Sequence, residues 1–150
     1  MSDNWREVWV DWKEGMSFTG NNPAGGSVQI GTIDGKPGIG PMEMLLLGLA
    51  GCTGMDIVSI LTKKRQPPTS FQVLVRGKRA SEHPKVYTEI EIAYILWGNG
   101  IEPKSVEQAI QLSEEKYCSA SAMLNKAAKI SSVYKILEPG EQTEKLFDAD

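Results

Sequence analysis

The residues best suited to covalent chemistry are two cysteines, Cys52 and Cys118, the only ones in the chain. A thiol reacts as its thiolate. Two thiols brought together support an oxidation cycle in which one attacks and the other condenses with the resulting sulfenic acid. Cysteine arithmetic leaves a second reading open, in which both are inert core residues. The single histidine, His83, precedes Pro84 in a run of turn residues and reads as a surface turn residue. One histidine and two cysteines cannot complete a zinc site from those residue types alone, and neither a metal nor an organic cofactor is expected. Carboxylates flank both thiols: Asp56 lies one helical turn after Cys52, and Glu114 and Glu115 stand just before Cys118.

These residues need elements to position them. Trp5–Trp12 alternates as a strand, Met16–Thr19 can add a short one, and Ser27–Ile33 alternates again, with Val28 and Ile30 inward. Gly20–Gly26 is rich in turn residues, and Asp34-Gly35 is a tight-turn signal. Pro41 opens a long helix over 42–65 that is apolar almost all round and closes on Lys63-Lys64-Arg65 before Pro67-Pro68. Such a helix is buried on every side. Phe71–Arg79 and Lys85–Trp97 form a hairpin. A helix from Pro103, with Ser105 and Gln108 as a capping box, carries the stripe Val106, Ala109, Ile110, Ser113 and Tyr117. Ser119 and Ser121 can cap a third helix, and Ile130–Leu137 is a last strand. The order β-β-β-α-β-β-α-α-β, with strands and helices segregated, is α+β. Residues 1–150 read as one domain, with a loose acidic tail over 139–150. One domain of this size does not enclose the long helix, so a second subunit is expected to cover part of it.

Composition bounds the function. The 150 residues are 41% hydrophobic and 23% charged, with a net charge of −3. The chain is therefore globular, and it lacks the basic field that a nucleic-acid partner demands. The apolar run Met44–Met55 is shorter than a bilayer span and contains three glycines. No export signal is read at Met1-Ser2-Asp3-Asn4, which points to the cytoplasm and to thiols rather than a structural disulfide.

The stretch from Gly40-Pro41-Met42-Glu43 through Gly51-Cys52-Thr53-Gly54-Met55-Asp56 resembles the first cysteine helix of the OsmC/Ohr family, and Lys116-Tyr117-Cys118-Ser119-Ala120-Ser121 resembles its second cysteine motif. The resemblance covers roughly residues 5–137 and implies an OsmC-like fold in an intertwined homodimer with its sites at the subunit interface. It also implies reduction of organic hydroperoxides. Cys52 would be the attacking thiol and Cys118 its disulfide partner, with a dithiol reductant restoring both. In family peroxidases an arginine from the N-terminal region, held by a glutamate directly after the motif proline, activates the thiol. Here Met42 follows Pro41, Glu43 is one place further on, Arg6 is the only arginine before Arg65, and Lys13 is the substitute cation at hand. Glu43, Asp56 and Glu115 are the candidate supporting residues. Local physics alone would make Cys118, near a helix start, the more acidic thiol, whereas the family pattern makes Cys52 the attacker. A dimer that binds an apolar small molecule with little turnover is the alternative function, and a structural partner protein using the acidic tail is a third.

Overall fold

The computed structural model describes residues 4–144 and Phe147. The chain forms two compact units, Met1–Leu45 and Leu46–Asp150.

The first unit is an antiparallel meander of β1 (Trp9–Glu14), β2 (Ser17–Asn21), β3 (Ser27–Ile33) and β4 (Lys36–Pro37). The first strand begins at Trp9 rather than Trp5 because Trp9 pairs with Asn21, the last residue of β2. Gly20 and Asn21 belong to β2, so the turn is confined to 22–26, where the Asn22 side chain accepts from the Gly26 amide at 2.7 Å. Asp34 and Gly35 both take positive φ, 49° and 75°, the geometry of a two-residue hairpin turn. That turn creates β4, two residues too short to show an alternating pattern. The face expected to point inward is not buried: Val28 is 40% exposed, and Trp12 on β1, the edge strand beyond β2, is 65% exposed.

Helix α1 runs over Pro41–Lys63. Its first turn is held by Glu43, whose carboxylate accepts from the Gly40 amide at 2.8 Å. The apolar stretch continues past both ends of Met44–Met55, so at 23 residues the helix is long and apolar enough to cross a membrane by length and composition. The expectation that it is too short to do so is thereby corrected. Side-chain packing gives it a different environment. Leu49, Thr53, Ile57 and Leu61, spaced four apart, are fully buried along one face. The opposite side, including Leu47 and Met55, is exposed in the single chain.

The second unit adds the sheet β5 (Ser70–Arg79), β6 (Tyr87–Trp97) and β7 (Lys129–Leu137), in that order. Strands β5 and β6 are antiparallel, with Val73 opposite Tyr94, and β6 and β7 are parallel. A parallel pair requires a crossover. It is made by α2 (Pro103–Leu112), a π-helical turn (Ser113–Tyr117) and α3 (Ser119–Leu124). As the central strand, β6 is buried without alternation from Ile92 to Leu96. Gly54 of α1 faces β5, since a Cβ there would lie 3.4 Å from a Val73 methyl.

Two local expectations are corrected. The residue preceding α2 is Glu102, with Pro103 in the first helical turn, so Ser105 is not a cap but a buried residue inside the helix. The π-helical turn contains one residue more per hydrogen-bonded ring than α-helix. It rotates Tyr117 off the buried stripe, leaving it 52% exposed while Ser113 is fully buried. The expected loose tail over 139–150 lies partly outside the described residues. Within them, the Trp97 indole donates to the Glu141 carbonyl at 2.7 Å, and Phe147 lies under the Arg76 guanidinium at 4.6 Å.

Candidate active site

Cys52 is half-buried on α1 between the packed and exposed faces, and Cys118 is buried, 3% exposed, between the π-helical turn and α3. Both are free thiols. The fold brings them near each other: Cys52 is among the neighbours that raise the Cys118 thiol. Two features hold Cys118. Its amide donates to the Ser113 carbonyl at 2.7 Å, closing the π-helical turn. Its Sγ caps α3 by accepting from the Ser121 amide at 3.3 Å. The cap of α3 is therefore Cys118 itself, not Ser119 or Ser121.

The electrostatics at Cys118 run against the acidity expected from its place near a helix start. Burial pushes the Cys118 thiol above its ordinary value; the Ser121 hydrogen bonds oppose this, and neighbouring Cys52 adds to it. A short helix start does not outweigh desolvation. Burial thus works against ionisation of Cys118, as expected of a resolving thiol.

A buried chain of polar side chains adjoins the pair. Thr53 Oγ1 is 2.9 Å from the Tyr94 hydroxyl and 2.8 Å from Ser113 Oγ. Ser113 donates to Asp56 at 2.9 Å, and Tyr94 donates to Glu114 at 3.0 Å. Asp56 is therefore brought to the site, but through Ser113. Of the two acids before Cys118, Glu114 enters the chain, whereas Glu115 is exposed and accepts from Gln111 at 3.4 Å. Glu43 holds the start of α1, and His83 is exposed in the link before β6. Thr53 and Tyr94 are not readable as site residues from their motifs. The available signal is a hydroxyl inside an apolar stripe, as Thr53 stands among Leu49, Ile57 and Leu61. A buried hydroxyl needs partners.

Burial also pushes the Tyr94 hydroxyl far above its ordinary value; Thr53 opposes the shift and Glu114 reinforces it. Both Tyr94 and Cys118 hold protons more tightly folded than unfolded. The folded state therefore binds more protons as pH rises past their unfolded values, and stability falls across that alkaline window. Chemical denaturation as a function of pH should show this decline, with a shallower slope in Tyr94→Phe and in Cys118→Ala. An unchanged slope in both would refute the assignment.

The family profile described as OsmC-like protein matches residues 33–133. The chain belongs to the OsmC-like family. Protein YhfA of Escherichia coli is 36% identical over 128 residues, spanning 85% of this chain and 96% of YhfA. A hypothetical protein from Aquifex aeolicus has a similar structure, with a TM-score of 0.81 and 34% identity over 91% of this chain and 98% of that one. The organic hydroperoxide resistance protein OhrB of Bacillus subtilis shares the fold at 12% identity, with a TM-score of 0.59 over 87% of this chain and 98% of OhrB. The α+β architecture and the order of its main elements are those of OsmC-like proteins.

Proposed function

We propose that this OsmC-like chain is a thiol-dependent peroxidase that reduces organic hydroperoxides in the cytoplasm, acting as a homodimer. The observation that carries the reading is the nearness of the chain's only two cysteines, one half-buried and the other buried with its thiol pushed above its ordinary value. The steps balance as follows. The Cys52 thiolate attacks the terminal oxygen of R–O–OH. The O–O bond breaks, Cys52 becomes a sulfenic acid, and R–O⁻ takes up a proton to leave as alcohol. The Cys118 thiol then displaces water from the sulfenic acid, forming a disulfide. A dithiol reductant reopens it by exchange and leaves as its own disulfide. OsmC-family proteins are commonly dimers, and the exposed apolar side of α1 is the surface a second subunit would cover. The test is consumption of cumene hydroperoxide with dihydrolipoamide supplied. Turnover supports the reading, and no consumption by the fully reduced protein contradicts it.

One observation favours the alternative, a dimer that binds an apolar small molecule. In the first unit a cavity of about 440 Å³ is lined by Val8, Trp9, Val10, Val28, Ile30 and Met44 among others. Under that reading, a fatty-acid probe binds with equal affinity to wild type and to a variant lacking both cysteines, and neither consumes hydroperoxide.

A further inference from the structure

A disulfide between Cys52 and Cys118 would present two unequal sulfurs to a reductant. Thiol–disulfide exchange depends on which sulfur the incoming thiolate can reach. Cys52 is half-buried on α1, whereas Cys118 is 3% exposed between the π-helical turn and α3. The backbone at Cys118 is pinned, since its amide donates to the Ser113 carbonyl at 2.7 Å. Access therefore favours attack on Cys52.

The sulfur that is not attacked must leave as a thiolate. At Cys118 that charge forms inside the protein, where burial opposes it. Ser121 supplies the counterweight. Its amide donates to Cys118 Sγ at 3.3 Å. Its side chain is a second group that draws the Cys118 thiol down, which places the hydroxyl beside the sulfur. Yet Ser121 is buried, 3% exposed, and its hydroxyl has no hydrogen-bond partner among the described residues. A buried hydroxyl left unpaired is costly. A neutral thiol is a weak acceptor, and hydrogen bonds to ionised groups are about twice as strong as neutral ones. The partner that this hydroxyl lacks is the charged form of Cys118.

We infer that the reductant enters at Cys52 and that Cys118 leaves as a thiolate received by the amide and the hydroxyl of Ser121. The reductant's first thiolate forms a bond to the Cys52 sulfur. The S–S bond breaks, and its electron pair goes to Cys118. The reductant's second thiol then loses its proton, which Cys118 takes up, and the new thiolate displaces Cys52 from the first. The dithiol is oxidised to its own disulfide, and the protein is left with a Cys52 thiolate and a Cys118 thiol. The place of this step in a catalytic cycle rests on the peroxidase reading; the choice of sulfur does not.

The test closes the disulfide with diamide, so that no hydroperoxide chemistry is needed. The oxidised protein is mixed briefly with 2-mercaptoethanol, quenched in acid, unfolded and alkylated, and the two cysteines are mapped by peptide mass spectrometry. The mercaptoethanol adduct is expected on Cys52, with Cys118 alkylated. Ser121→Ala keeps the amide and removes the hydroxyl. It should slow reduction about tenfold, the scale of one hydrogen bond to a charged group, while its melting temperature is at least that of wild type, because an unpaired buried hydroxyl has gone. Ser121→Thr keeps the hydroxyl and should reduce at close to the wild-type rate. An adduct on Cys118 in wild type overturns the inference without any variant, as does failure of diamide to join the two thiols. A wild-type rate in Ser121→Ala overturns it as well, and so does a slower rate accompanied by a lower melting temperature, which marks a packing role. A protein that gives the Cys52 adduct and the slow Ser121→Ala reduction but consumes no hydroperoxide would keep the inference and refute only the peroxidase reading.

Discussion

Cys52→Ser abolishes hydroperoxide consumption, with a loss of at least about 10³-fold, the scale on which an enzyme suffers when its nucleophile is removed. Serine at neutral pH offers neither the thiolate charge nor the polarizable lone pair that the O–O bond requires. Cys118→Ser behaves differently. Its Cys52 remains able to attack, so about one equivalent of hydroperoxide per chain is consumed at the first turnover. Sustained turnover with a dithiol then falls because the disulfide cannot form. Stopped-flow and steady-state assays separate these outcomes. Equal loss of the first turnover in both variants would contradict the division of roles between the half-buried and the buried sulfur.

Met55→Glu weakens dimerisation by more than about a hundredfold, equivalent to roughly 3 kcal/mol. Met55 is 77% exposed in the single chain, with Leu47 51% exposed near it, on the side of α1 opposite the buried stripe Leu49, Thr53, Ile57 and Leu61. Gly48 and Gly51 carry open space where a Cβ would project, so a second backbone can approach closely there. A glutamate placed in such an interface loses its hydration without gaining a partner. The fold within each chain is unaffected, because Met55 packs little against its own chain. Sedimentation equilibrium with circular dichroism checks both statements. A monomeric wild type at micromolar concentration, or an unaltered dimer in Met55→Glu, would remove the exposed side of α1 as the subunit interface.

Much of this arrangement was legible before any coordinates. Pro41 and the terminal lysines bracket α1 because the physics of helix ends is local. The β5–β6 hairpin follows from alternation on either side of Ala80–Pro84. Cooperative features were not legible. The register of β1 depends on where β2 ends, and the capping role of Cys118 depends on a π-helical turn that no periodicity announces. The candidate supporting acids illustrate the same limit. Spacing placed Asp56 one turn from Cys52, and packing routes its carboxylate to Ser113. Glu114 and Glu115 are adjacent in sequence, and only the turn geometry decides that Glu114 meets Tyr94 while Glu115 faces outward. Helix-dipole arguments are local and favour an acidic Cys118, whereas desolvation, which depends on everything packed around the sulfur, pushes its thiol up.

The central claim is that Cys52 and Cys118 act as a redox pair. It is tested most directly by treating the reduced protein with one equivalent of an organic hydroperoxide and mapping the thiols by peptide mass spectrometry. The account predicts a Cys52–Cys118 disulfide, one alcohol released per disulfide, and full recovery of both thiols on adding a dithiol. Two free, alkylatable cysteines alongside unconsumed hydroperoxide would contradict it.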